Sequence, residues 1–96
     1  MSNLHKNVLP LDQAKQVLDQ MSNTFDSHEF IIRFIIMFPA KYIDLLAKYK
    51  ATGKAHGAIA AFLQENSDSL EIQHQGKIRS ENIYGRDTLC EKWKKI

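Results

Sequence analysis

Phe30-Ile31-Ile32-Arg33-Phe34-Ile35-Ile36-Met37-Phe38 is the longest apolar run of the chain, broken once by Arg33. Whether this run is a strand or a helix sets the class of everything around it. Isoleucine and phenylalanine favour strands, so a buried strand is one reading. A helix apolar on nearly every side, covered by neighbours all round, is the other. The flanks favour the helix. Asp26 followed three residues later by Glu29 resembles a capping box, although such boxes prefer serine or threonine at the cap. Pro39 disfavours the α region for Phe38 and so ends the segment. A helix over about 27–37 is expected.

Upstream, Pro10 suits a first helical turn. Leu11, Ala14, Val17, Leu18 and Met21 share one face, which predicts a helix over about 10–21. Ser22-Asn23-Thr24 reads as a turn. Met1 to Leu9 is polar and aperiodic and reads as a loose tail, leaving 10–96 as a single small helical domain.

Downstream, Pro39 opens a third helix with Tyr42, Ile43, Leu45, Leu46 and Tyr49 on its apolar side, closed by Thr52-Gly53. A fourth helix over about 54–66 carries Ala55, Ala58, Ile59, Phe62 and Leu63 as its core stripe. The period then changes. Leu70, Ile72 and His74 alternate with polar residues, and Gly76 follows, so a β-hairpin near 71–80 with its turn at Gln75-Gly76 is expected. Tyr84-Gly85 reads as a further turn. Asp87 or Thr88 would cap a last helix reaching Lys95, packed through Leu89 and Trp93. The expected fold is therefore mainly α: four to five short helices around one core, with one small hairpin.

The 96 residues are 44% hydrophobic and 25% charged, ordinary globular usage for one small domain. No apolar run approaches the roughly 20 residues of a membrane span. No secretory signal is visible at Met1–Leu9. With Cys90 the sole cysteine, no internal disulfide can form. These features point to the cytoplasm and to no membrane partner.

No nucleophile, phosphate-loop, dinucleotide or zincin motif is present, so no enzyme activity is expected. His5, His28, His56 and His74 contain no i,i+4 pair, and a lone cysteine does not seed a thiolate zinc site. Neither cofactor nor metal is implied. Cys90 reads as a half-buried small hydrophobe.

Charge is uneven. The formal net charge is +2, and residues 70–96 carry six basic and four acidic side chains while the rest is balanced. Helices followed by a hairpin resemble a winged-helix or related helix-turn-helix domain. That resemblance would make the fourth helix the recognition element, with Lys54, His56 and Gln64 outward. The hairpin would be the wing, with Lys77 and Arg79 two apart and aimed together at phosphate. The implied partner is double-stranded DNA. The alternative is a helical protein-interaction or homodimerisation module: an uncovered face of the second helix at Ile32 and Ile36, joined by Tyr42 and Trp93, would meet a protein partner or a second copy. The stretch Ser80–Gly85 reads mainly as a connection pinned by Ile83 and Tyr84.

Overall fold

A computed structural model describes residues 5–96. In chain order the elements are α1 (Leu11–Asp19), β1 (Thr24–Asp26), α2 (Ser27–Met37), α3 (Pro39–Lys48), α4 (Ala55–Glu65), α5 (Ser67–Leu70), β2 (Ile72–Glu81) and β3 (Asp87–Lys95). The three strands form an antiparallel sheet in the order β1-β3-β2.

The apolar run is a helix. Asp26 Oδ1 accepts the Glu29 N–H at 2.9 Å, and Glu29 Oε1 accepts the Asp26 N–H at 2.9 Å, so the capping box is complete. Phe38 leaves the helical region (φ −133°, ψ 61°) and Pro39 begins α3 at its first position. The helix is not covered all round, however. Phe30, Ile31 and Phe34 are buried, while Ile32 and Ile36 are exposed.

The mainly α expectation with one hairpin at 71–80 is corrected: the fold is mixed, 49% helix and 24% strand, with a three-stranded sheet. Three local readings produce the difference. Residues 87–95 are a strand, not a last helix. Leu89 and Trp93 are four apart, a spacing that suits one helical face and one strand face equally. In the strand Trp93 lies opposite both Phe25 and His74, and is 1% exposed. Second, Gln75-Gly76 is a bulge rather than a turn. His74 pairs with Trp93 and Lys77 with Glu91, three steps on β2 against two on β3. Gly76 at φ +103° absorbs the extra residue. The chain reverses later, at Asn82–Arg86. There Asn82 Oδ1 accepts the N–H groups of Tyr84 (2.9 Å) and Arg86 (3.1 Å), and Gly85 takes φ +75°. Third, Thr24–Asp26, read as turn and cap, also pairs with β3 as a third strand.

The core lies where α1, α2 and α4 meet one end of the sheet. Val17, Phe30, Phe34, Ile59, Phe62, Leu63 and Trp93 are fully buried. Of the expected loose tail 1–9, residues 1–4 lie outside the described residues. Val8 and Leu9 join the core, and Asn66 Nδ2 donates to the Lys6 carbonyl at 3.0 Å. No helix among the described residues is long and apolar enough to cross a membrane.

Candidate nucleic-acid interface

From Leu45 to Gln64 the chain contains Lys48, Lys50 and Lys54 and no carboxylate. This acid-free stretch spans the end of α3, the turn and nearly all of α4. Its centre is the start of α4. Lys54 holds the N-cap position without a side-chain capping bond, and the first turn of α4 has no acidic residue. The free N–H groups and the positive end of the helix dipole are thus reinforced by a cation where most helices place an anion. A negatively charged ligand at this end would meet both.

The tip of the β2–β3 hairpin leans onto the same end. Ile83 packs inward against the core, and Tyr84, 70% exposed, stacks on His56 with ring centroids 5.9 Å apart. His56 in turn stacks on Tyr42 at 5.7 Å, and Tyr42 Oη lies 2.7 Å from His56 Nε2. Partial burial, helped by the nearby His28, lowers the His56 pKa below its ordinary 6.5. Burial, then Tyr84, raises that of Tyr42. Both shifts favour the neutral forms, so this contact joins an uncharged hydroxyl to an uncharged ring. Beside the stack is a shallow groove that includes Leu46, Tyr49, Lys50, Gly53 and Tyr84. Lys48 Nζ sits over the Tyr49 ring at 5.8 Å. Arg86, at the base of the hairpin tip, is exposed.

The residues expected from the sequence separate. Lys54 and His56 belong to this surface. Gln64 is exposed at the far end of α4, roughly 15 Å from Lys54 at the helical rise. Lys77 and Arg79 do project from the same face of β2, but they are not free. Lys77 Nζ is 3.5 Å from Glu91, which also pairs with His74, and Arg79 Nε is 3.4 Å from Asp87. The register is the source: Lys77 lies opposite Glu91, and Arg79, opposite Leu89, reaches diagonally to Asp87 two residues along β3.

On the interface side, Ile32 and Ile36 are exposed as expected, and Ile43 and Leu46 of α3 are exposed with them. Tyr42 is half-buried and committed to His56. Trp93 is corrected outright. It is a core residue whose Nε1 donates to Ser27 Oγ at 3.4 Å, because β3 pairs between β1 and β2 and turns that side chain inward.

Tyr84, Lys50 and Arg86 are the members that the sequence reading passed over. The acid-free window was legible in principle. Taking residues 1–69 together sets these lysines against acidic residues on both sides, such as Asp44 and Glu65, and hides it. Tyr84-Gly85 reads as a turn in the sequence, but the stacking of Tyr84 on His56 follows only once β2 and β3 pair across that turn.

In comparison with known proteins, the chain matches no family model, no curated protein and no solved structure.

Proposed function

We propose that this chain is a small non-enzymatic domain that binds double-stranded DNA through its phosphate backbone, using the start of α4, the α3–α4 turn and the hairpin tip. One observation carries the reading: the uncapped, cationic N-terminus of α4 lies in an acid-free stretch and is flanked by an exposed aromatic stack. Lys50, Lys54 and Arg86 would meet phosphates, and the first-turn N–H groups of α4 would donate to one more. Gly57, Ala60 and Ala61 on the outer side of α4 offer no base-reading donors or acceptors, so binding would be tolerant of sequence.

The test is fluorescence anisotropy with a labelled mixed-sequence duplex at low and moderate salt. Three to four phosphate contacts correspond to a salt slope of about −3. Binding that weakens in this way, and is lost in Lys50→Glu/Lys54→Glu, supports the reading. Absence of binding at low salt removes it. A single-stranded oligonucleotide of equal length, bound more tightly than the duplex, would instead make the Tyr84 stack a base platform.

A second reading rests on a separate observation. α3 buries only Leu45, while Ile36 and Ile43 are each 63% exposed. These residues would form the contact of a homodimer. Sedimentation of wild type against Ile43→Glu at micromolar concentration tests it, and a monomer throughout removes it.

A further inference from the structure

At the other end of α2, three metal-ligating side chains of different kinds converge. A carboxylate oxygen of Asp26, a ring nitrogen of His28 and Cys90 Sγ all lie within 4.8 Å of one another. They come from the end of β1, the first turn of α2 and the middle of β3, brought together because β1 pairs with β3 and runs directly into α2. We propose that Asp26, His28 and Cys90 form a binding site for a divalent transition metal of the zinc class.

The residues around the three donors support this. Asp26 is 7% exposed. Its Oδ1 caps α2 through the Glu29 N–H, while its second oxygen has no hydrogen bond among the described residues. No lysine or arginine among them pairs with this buried carboxylate. A carboxylate this little exposed is costly to bury, and a cation on the oxygen that does not cap α2 would offset part of that cost. The positive end of the α2 dipole opposes a cation here. Asp26 and Glu29 carry two full negative charges against its roughly half charge.

His28 is held for ligation. Its Nδ1 is 2.8 Å from Ser80 Oγ, its Nε2 is 3.4 Å from Thr88 Oγ1, and Ser80 Oγ is 3.5 Å from Cys90 Sγ. Ser80 and Thr88 are register partners across β2 and β3. Hydroxyls donate or accept, so either can orient the ring while the opposite nitrogen turns to the ion. A water would complete four-coordination, since a thiolate, an imidazole and a carboxylate make three of the four positions usual for zinc. His28 and Cys90 also line a cleft of about 250 Å³ with Ser27, His56 and Glu91, which gives the ion a path in.

The experiment is titration of the reduced full-length chain with Co²⁺, followed by displacement with Zn²⁺. The expected result is 1:1 binding with a thiolate-to-cobalt charge-transfer band and tetrahedral ligand-field bands, both erased by zinc. Cys90→Ala removes the charge-transfer band. Ser80→Ala, losing only the group that orients His28, weakens affinity about 10- to 100-fold. Because the ligands tie separate elements together, zinc at a hundredfold above its Kd raises Tm by roughly 10 °C or more. Should Cys90→Ala fail to fold, Asp26→Asn keeps the capping oxygen and carries the same test through its loss of affinity. No thiolate band in the wild type overturns the proposal. So does binding that survives Cys90→Ala and Asp26→Asn but is abolished by His74→Gln, which would put the ion on the exposed His74–Glu91 pair.

Discussion

Two cationic regions of this molecule look alike in sequence and differ in three dimensions. Lys77 and Arg79 lie on β2, Lys50 and Lys54 around the α3–α4 turn. The first pair is neutralised by Glu91 and Asp87 on the adjacent strand at 3.5 and 3.4 Å. The second lies in a stretch with no carboxylate, and no ion pair among the described residues involves it. Exposed ion pairs are worth only about 0–1 kcal/mol of stability, so the hairpin pairs do little to hold the sheet. Their larger consequence is to cancel the field that a phosphate chain would feel. A count of basic residues therefore ranks the two regions wrongly. What matters is which carboxylates the strand register places beside them.

The comparison can be broken most severely at the element that creates it. Trp93 anchors β3, and with it the positions of Glu91 and Asp87. Trp93→Ala should cost about 3–5 kcal/mol of stability by chemical denaturation. Tyr84→Ala, at the exposed tip, should change stability by less than about 0.5 kcal/mol while weakening DNA binding. If the two variants lose stability equally, Tyr84 is a structural residue and the aromatic surface is misassigned.

Unmasking the hairpin sharpens the contrast next. Glu91→Gln/Asp87→Asn should free Lys77 and Arg79 and steepen the salt slope of DNA binding by about two contacts. An unchanged slope would mean that those side chains face away from the duplex whatever their partners.

A smaller effect concerns pH. The folded state lowers the His56 pKa, first by burial and then through His28. The unfolded chain therefore binds the proton more readily. The stability contributed by neutral His56 is complete above the ordinary value of 6.5 and is lost as pH falls from there toward the lowered folded value. Thermal melts between pH 7.5 and 5.5 should show Tm falling, with a shallower fall in His56→Gln. Equal slopes in the two proteins would show that the Tyr42–His56–Tyr84 stack does not require an uncharged ring.

The sequence carried the helices well because their signals are local. The 27–37 helix is bounded by a complete capping box at Asp26 and Glu29 and by Phe38-Pro39. The sheet was poorly legible. β1 is three residues long and its Asp26 is also a helix cap, so one residue serves two elements. β2 and β3 reach well past the core, and only Ile72 and Trp93 in them are buried, which leaves little of the alternation that marks a strand. Lys54 and His56 were readable as outward residues of α4. The partnering of Lys77 and Arg79, the stacking of Tyr84 and the meeting of Asp26, His28 and Cys90 all depend on β3 being a strand between β1 and β2. Read as a helix, that segment hides every one of them.

The most direct test of the account is a salt-titrated anisotropy comparison of wild type, Lys50→Glu/Lys54→Glu and Lys77→Glu/Arg79→Glu on one duplex. Both variants change net charge equally, so any difference reports position. The account predicts that reversal at the α3–α4 turn abolishes binding and that reversal on β2 leaves the salt slope within about one contact of wild type. Equal losses in the two variants, or loss only on β2, would contradict it.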